Sequence, residues 1–293
     1  MDIRTFVSSN LVSASPSELA ENFCWATISL LIEGDFESIG GYDIARRVRG
    51  ALWPTLTKNA CHLAREGKPC RHGPICLLDL LWNEIGRLPR GREIPKPWVL
   101  RAFRQPVGAG RPRAIVQLVL FGLASSYCQL IANLLISIFE NGVGHWDKPW
   151  RLLDHEIIRD EGLEIQELGN GLSLRLLSPL KLRSEDRTMS NLIPGLIDRI
   201  EGLGRWHGVK LECDFGALRN IARSIEIIGD RTSQHSWARR SSRSGTTIPM
   251  NDTRGLIKLR GDLEPLAPFI SLLPVVHAGK DTRHGHGWIS LVH

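Results

Sequence analysis

Residues 275–291 read Val275-Val276-His277-Ala278-Gly279-Lys280-Asp281-Thr282-Arg283-His284-Gly285-His286-Gly287-Trp288-Ile289-Ser290-Leu291. An apolar run ends in a loop, residues 277–287, that carries three glycines, three histidines, one lysine and one arginine. Glycines at this spacing let the backbone adopt positive φ values and approach another molecule closely. Free backbone N–H groups, together with the side chains of Lys280 and Arg283, would form a site for a phosphate-sized anion. A glycine-rich hairpin with incidental charge is the alternative interpretation.

Further short motifs precede this loop along the chain. They are Arg49-Gly50-Ala51-Leu52-Trp53, Phe139-Glu140-Asn141-Gly142-Val143-Gly144-His145, Leu176-Leu177-Ser178-Pro179-Leu180-Lys181-Leu182, Trp237-Ala238-Arg239-Arg240-Ser241-Ser242-Arg243 and Thr253-Arg254-Gly255-Leu256-Ile257-Lys258-Leu259-Arg260-Gly261. Together with the loop, they resemble motifs of the CRISPR-associated (Cas) precursor-RNA processing endoribonucleases, the sixth family of the Cas series within the RAMP superfamily. Arg283 and His284 depart from the family pattern, which has apolar or aromatic residues there. The resemblance covers roughly residues 20–293.

The resemblance implies a function and a set of partners. It implies a protein that binds the stem-loop in the repeat of precursor crRNA and cleaves it without a metal. In that reaction the 2′-OH upstream of the scissile phosphate attacks it, leaving a 2′,3′-cyclic phosphate and a 5′-OH. Other Cas proteins of an effector complex are the further partners expected. A non-cleaving crRNA-binding scaffold subunit is the alternative, since one basic surface would serve both functions.

The charged residues are unevenly distributed along this chain of 293 residues, whose formal net charge is +6. Residues 237–260 carry six Lys/Arg and one acidic residue, whereas residues 154–167 carry six acidic residues and one arginine. Such segregation predicts a basic face suited to a polyanion. We recognise no signal peptide and no apolar run of membrane-spanning length, and the six cysteines do not form a dense disulfide pattern. A cytoplasmic protein without a membrane partner is therefore expected.

The spacing of apolar residues predicts an α+β fold of tandem ferredoxin-like domains. In the first half, the order β-α-β-β-α-β is expected from strands at 23–32, 98–104, 114–123 and 150–165 and helices at 43–66 and 124–140. A second, degenerate pass follows a turn at 169–171 and has an inserted helix at 214–228. The family resemblance implies the same tandem (RRM-like, RAMP) arrangement. We expect the serine-rich residues 1–20 to be loosely ordered, and we expect domains at 21–168 and 169–293.

His62 is the first choice for a catalytic general base. Histidine titrates near neutral pH and can take the proton of a 2′-OH, and a neighbouring cation such as Lys58 can stabilise charge on the phosphorane. In the resembled family the acid–base histidine tends to lie on or just after the first helix of the first domain. An exposed helix-end histidine is the alternative for His62, and an arginine-led site is the alternative for catalysis. The remaining catalytic candidates are Arg46, Arg49, Tyr42 and, among histidines, His72.

Candidate RNA contacts lie at basic, aromatic and glycine-rich positions. Double-stranded RNA is recognised mostly through its shape and its phosphates, and an exposed aromatic ring can stack on an unpaired base. The residues expected to contact RNA are Arg47, Trp237, Arg239, Arg240, Arg243, Lys258, His277, Gly279, Lys280, Arg283, Gly285 and Gly287.

Three cysteines, Cys61, Cys70 and Cys76, form the cluster most similar to a metal site. Their spacing lacks the paired C-x2-C motifs of zinc ribbons. Reduced, partly buried thiols are therefore expected, and a bound metal, as in a generic cytosolic metalloprotein, is the alternative. No cofactor is expected for cleavage, because the sequence shows no clustered carboxylates that would hold paired Mg²⁺ ions.

Overall fold

The structure is a computed structural model that describes residues 2–36, 41–70, 75–89, 91–106, 111–145, 148–182, 191–240 and 247–292. The chain divides into two compact units. Unit 1 comprises Met1–Ile165, Asp198–Cys213 and Arg283–Gly285, and unit 2 comprises Gln166–Ile197, Asp214–Thr282 and His286–His293.

The secondary-structure elements are numbered here in chain order. The strands are β1 (Val12–Ala14), β2 (Cys24–Glu33), β3 (Trp98–Arg104), β4 (Arg113–Phe121), β5 (Val143–His145), β6 (Lys148–Glu161), β7 (Gly171–Leu180), β8 (Val209–Leu211), β9 (Glu226–Arg240), β10 (Thr247–Arg260) and β11 (Ile289–Val292). The α-helices are α1 (Ile3–Ser8), α2 (Pro16–Glu21), α3 (Gly41–Lys58), α4 (His62–Arg65), α5 (Leu77–Leu81), α6 (Cys128–Glu140), α7 (Leu192–Gly204), α8 (Phe215–Ser224) and α9 (Ala267–Val276). Short 3₁₀ helices lie at Gly122–Tyr127, Arg205–His207, Glu264–Leu266 and Thr282–His284.

The main sheet of unit 1 is antiparallel, with the strand order β3-β4-β2-β6-β5. The central strand β2 buries Ile28, Leu30 and Ile32 at alternate positions, because successive strand side chains point to opposite faces. Helix α3 packs near β3, and α6 packs against β6. The succession β2-α3-β3-β4-α6-β6 is therefore a ferredoxin-like β-α-β-β-α-β unit, with β5 added at one edge.

The sheet of unit 2 is also antiparallel and has the strand order β11-β7-β10-β9. One face carries the buried side chains of Leu174 and Leu176 from β7 and of Ile257 and Leu259 from β10. Helix α9 is buried along most of its length. The succession β7-α7-β9-β10-α9-β11 repeats the ferredoxin-like order, with α8 inserted before β9 and with the end of α7 assigned to unit 1.

The α+β class and the tandem ferredoxin-like arrangement predicted from the sequence are confirmed. Strand β3 occupies the predicted residues, whereas the helix predicted at 43–66 is divided into α3 and α4. Proline often breaks a helix, and Pro54 was the expected point of a kink or division, but it lies inside α3. The division occurs at Cys61, because this residue adopts an extended backbone conformation and caps the next helix.

Residues 2–21 differ from the loosely ordered segment that their serine content predicted. Ser15 and Glu18 form a capping box at the start of α2, and Ile3 and Val7 of α1 are buried. Strand β1 pairs in parallel with β8. Serine at 15 therefore acts as a helix cap. The unit boundary lies three residues from the predicted one, and unit 1 also takes in Asp198–Cys213 and Arg283–Gly285.

Among the described residues, one helical stretch, Gly122–Glu140, is long and apolar enough to cross a membrane by length and composition alone. It joins a 3₁₀ turn to α6 and packs against β2 and β6. Ile131, Leu135 and Ile138 are buried there. A core helix of a folded domain passes the same test, so this stretch is weak evidence for a membrane segment.

Candidate functional site

The arginines at the start of α3 contact neighbouring side chains. Arg46 forms an ion pair with Asp43 at 3.2 Å, one helical turn away. The guanidinium of Arg47 lies over the ring of Trp150, 5.6 Å from its centroid. That of Arg49 lies over Trp82 at 4.2 Å. Cation–π contacts of this kind hold arginine side chains in place. Tyr42 lies in the first turn of the same helix.

A second basic group lies at the other end of α3. Lys58 is in the last turn, and His62 begins α4; both are exposed. The guanidinium of Arg65 donates a hydrogen bond of 3.0 Å to the carbonyl oxygen of Lys58. Along the chain, His62 therefore lies between two cationic residues, and the side chain of one contacts the backbone of the other.

The two groups cannot surround one phosphate together. Arg49 and Lys58 are nine residues apart in a continuous helix, so their Cα atoms are separated by about 13 Å along its axis. At about 100° per residue they also lie on opposite faces of α3. The structure thus keeps His62, Lys58 and Arg65 within one short stretch of chain, residues 58–65, and separates this stretch from Arg46 and Arg49. His72 lies outside the described residues.

The three cysteines predicted as a cluster are brought together. The sulfur atoms of Cys61, Cys70 and Cys76 all lie within 4.8 Å of one another, and each residue is half-buried. The Cys61 and Cys70 sulfurs are 3.3 Å apart. The backbone N–H of Ala64 donates to the Cys61 sulfur and lowers the pKa of that thiol, because it stabilises the thiolate.

The glycine-rich loop 277–287 uses several of its backbone N–H groups within unit 2. Ala278 N–H donates to Gly287 O at 2.9 Å, and Lys280 N–H donates to Lys181 O at 2.7 Å. Gly287 N–H donates to Pro179 O at 2.8 Å. The prediction that free N–H groups along this loop form an anion site is therefore wrong at these three positions. One of these bonds closes the loop on itself, and the other two fasten it to the end of β7 and to the residue that follows it.

Two glycines of the loop are required by close backbone packing. A Cβ atom at Gly287, whose φ is +72°, would overlap the carbonyl oxygen of Ala278. A Cβ atom at Gly279, with φ +77°, would overlap that of Lys181. His277 is fully buried; its Nδ1 lies 3.1 Å from His286 O, and its ring stacks near Trp288. Gly287 and His277 are therefore packing residues, and neither is placed to touch RNA.

The remaining loop candidates differ in exposure. Lys280 is exposed, and Arg283 is half-buried in the 3₁₀ turn. Gly285 is buried and has a φ of +88°. Lys280 is therefore the loop residue that is best placed for a phosphate contact.

A basic row on the open face of the unit 2 sheet was not predicted from the sequence, except for Lys258. Leu256 of β10 is paired with Arg175 of β7 on one side and with Arg231 of β9 on the other. Directly paired residues in antiparallel strands point to the same face, and Lys258 follows on that face two residues later. Arg175, Arg231 and Lys258 are all exposed. The alternation of apolar Leu174 and Leu176 around Arg175 was the signal that could have identified it.

The β9–β10 hairpin extends beyond this row. The two strands pair from Arg240–Thr247 to Glu226–Arg260, whereas β7 pairs with β10 only from Thr253 onward among the described residues. Trp237, Arg239 and Arg240 lie in the extended part of β9, and Arg243 lies outside the described residues. The hairpin thus places three of the predicted RNA-binding positions on one ribbon.

The fold matches that of known Cas6 structures. A Cas6 (TTHB231) product complex aligns with this chain at a TM-score of 0.56 and 16% identity. A Cas6 (TTHA0078) product complex aligns at a TM-score of 0.56 and 14% identity. Each alignment covers 92% of this chain and 100% of the matched Cas6 chain. Thermus thermophilus Cas6 (TTHB231) aligns with a TM-score of 0.54 and 15% identity, over 92% of this chain and 99% of that chain. The family model AF_1859_N, described as an N-terminal domain, matches residues 45–173. No curated protein matches the sequence. The resemblance stated from the sequence is confirmed at the level of the fold.

Proposed function

We propose that this chain is an endoribonuclease that binds the repeat stem-loop of precursor crRNA and cleaves it. The shared fold supports this proposal, because it is the fold of proteins named as Cas6 product complexes. The observation that carries the binding part is the exposed row of Arg175, Arg231 and Lys258 beside the extended β9–β10 hairpin. Cations on an open sheet face suit a phosphate backbone.

Cleavage in this proposal proceeds by internal attack of the RNA on its own phosphate. His62 takes the proton of the 2′-OH, whose oxygen forms a new bond to phosphorus as the bond to the 5′-oxygen breaks. The departing oxygen receives a proton from solvent, which gives a 5′-OH and a 2′,3′-cyclic phosphate, and His62 later returns its proton to solvent. Lys58 and Arg65 stabilise the negative charge on the phosphorane. The position of His62 in the chain between Lys58 and Arg65, with the Arg65 guanidinium bound to the backbone carbonyl of Lys58, supports this assignment.

The test of the catalytic part is single-turnover cleavage of the cognate repeat RNA by the full chain in excess. Positioned acid–base catalysis is worth about 10²–10⁴-fold in rate, so His62→Ala should slow cyclic-phosphate formation by that factor. The affinity for the stem-loop should change little. His155→Ala is the matched control, because His155 is also exposed but lies on β6.

A loss of less than about tenfold in the His62 variant would remove this residue from the site. Arg46, Arg47 and Arg49 would then be tested one at a time, as the arginine-led alternative. Binding of the stem-loop without any cleavage by the wild-type chain would favour the scaffold function instead.

Cleavage in this proposal needs no metal ion at the reacting phosphate. It should continue in EDTA when the protein is treated just before the assay. Activity that is lost in EDTA and restored by Mg²⁺ would overturn this reaction class. We further propose that the chain stays bound to its product and joins other Cas proteins in an effector complex. Rapid multiple turnover with free product would contradict that step.

A further inference from the structure

The segment that follows α3 brings three thiols to one point. Cys61 is the N-cap of α4, and Cys76 is the N-cap of α5. Cys70 lies between them in the chain, and its sulfur is 3.3 Å from that of Cys61. All three sulfurs lie within 4.8 Å of one another. Two short helices thus begin at a single cluster of soft ligand atoms, to which Cys70 also contributes.

Buried polar groups hold this cluster in place. Asp79 is only 3% exposed, and its Oδ2 accepts a hydrogen bond of 2.9 Å from the backbone N–H of Cys70. Its Oδ1 accepts one of 2.6 Å from Asn83, which also donates to Ala64 O at 2.7 Å. A carboxylate and an amide therefore tie Cys70 to α4 and α5. Groups that orient metal ligands in this way are typical surroundings of a metal site.

We propose that Cys61, Cys70 and Cys76 bind a Zn²⁺ ion. Thiolates select Zn²⁺ over the hard cations Mg²⁺ and Ca²⁺. A zinc–sulfur bond of about 2.3 Å in a tetrahedral site requires sulfurs that are mutually close, as these three are. Each thiol gives up its proton to solvent as its sulfur binds, and solvent fills the fourth position. The half-buried position of the sulfurs gives the ion a path to the site.

The ion would act as a structural tie in unit 1. Helices α4 and α5 have only four and five residues, and helices this short are not stable alone. A metal ion bound to both N-cap cysteines would stabilise these two helices in place of extensive apolar packing. This role does not depend on RNA cleavage, so it can be tested on the folded chain without any substrate.

The first test is a titration of the metal-free, reduced full chain with Zn²⁺ alone, in competition with a chromophoric chelator. We expect about one tightly bound Zn²⁺ per chain. The variants Cys61→Ser, Cys70→Ser and Cys76→Ser should each lose it. Cys213→Ser is the matched control, because Cys213 is half-buried but is not one of the clustered cysteines, and it should keep the ion. Asp79→Asn should weaken zinc affinity by about 10–100-fold.

The second test identifies the ligands. Co²⁺ added in place of Zn²⁺ should give a sulfur-to-metal charge-transfer absorption that disappears in each of the three cluster variants and persists in the control. Two results would overturn the proposal. One is a folded, reduced wild-type chain that binds no Zn²⁺. The other is a Cys61–Cys70 disulfide, found by peptide mass analysis of protein that was purified without a reductant.

Discussion

The guanidinium of Arg49 lies over the indole of Trp82, 4.2 Å from the ring centroid, and joins α3 to the chain that follows α5. The Trp82 ring in turn lies 4.7 Å from that of Trp53, one turn further along α3. Arg49 is therefore part of a packed group on the side of α3 that faces Trp82. Its place in this group gives it a structural role that can be measured apart from catalysis.

We predict that Arg49 and Trp82 are energetically coupled. In a double-mutant cycle of Arg49→Ala and Trp82→Ala, followed by urea denaturation, the interaction should be worth about 0.5–2 kcal/mol. The cleavage rate of Arg49→Ala, measured well below its unfolding temperature, should stay near that of the wild type. A large rate loss without any coupling would assign Arg49 to the reaction instead.

Alanine at Gly287 should destabilise the chain. Its Cβ would overlap Ala278 O at a φ of +72°, and overpacking of this kind costs about 1–3 kcal/mol. The matched control is Gly195→Ala, because Gly195 lies in α7 with nothing near its added Cβ. The control should gain about 0.5–1 kcal/mol, since glycine weakens a helix. Weaker RNA binding by Gly287→Ala at unchanged stability would restore the anion-site interpretation of the loop.

The half-buried imidazole of His207 should make the fold sensitive to acid. Its Nδ1 lies 3.1 Å from Leu203 O, and its ring lies 4.2 Å from that of Phe23. Burial lowers the pKa of His207 below its ordinary value, because the charged form is poorly solvated there. The unfolded chain therefore binds this proton first, and stability is lost as the pH falls from about 6.5 through the lower pKa of the folded state.

The measurement is the free energy of unfolding in urea at pH 7, 6 and 5 for wild type and His207→Gln. Groups that titrate alike in both proteins contribute equally to the two free energies of unfolding. The difference in free energy of unfolding between wild type and variant should therefore shrink by up to about 1.4 kcal/mol per pH unit as the pH falls through that window. A constant difference would show that His207 keeps an ordinary pKa in the folded chain.

The basic row on the unit 2 sheet should determine the salt dependence of RNA binding. Each phosphate contact that is removed should reduce the slope of log affinity against log salt by about 1. The triple variant Arg175→Ala, Arg231→Ala and Lys258→Ala should therefore lose a slope of about 3. Lys210→Ala is the control, because Lys210 is exposed on β8 of unit 1. An unchanged slope in the triple variant would exclude this face.

A second variant separates the hairpin and loop from the sheet row. It replaces Arg239, Arg240, Arg243 and Lys280 by alanine, all of which the sequence pointed to as phosphate contacts. If both surfaces hold one RNA, each variant should lose affinity and slope. Wild-type affinity and slope in the second variant would leave the sheet row as the binding surface.

Structural features that depend on residues close in sequence were predicted more reliably than contacts between residues that are distant in sequence. The strand at 98–104 was predicted at its observed bounds, because its apolar spacing is a local property. The expectation for residues 1–20 was wrong, because serine is common both in loosely ordered segments and at helix N-caps such as Ser15. The three glycines of the loop at 277–287 adopt the positive φ values that their spacing predicted. The N–H groups of this loop could not be assigned, because three of their acceptors are Lys181, Pro179 and Gly287.

The sequence by itself determined the tandem β-α-β-β-α-β order, because apolar periods of about 2 and 3.6 residues distinguish strands from helices without tertiary information. Only the tertiary structure decided which residues become neighbours. Strand register placed Arg175, Leu256 and Arg231 in one row, and the path of the chain after α3 brought the three cysteine sulfurs within 4.8 Å. The reason is physical, because strand pairing and loop closure bring together residues that are far apart in the chain. The local spacing of apolar residues does not specify which of those distant residues become neighbours.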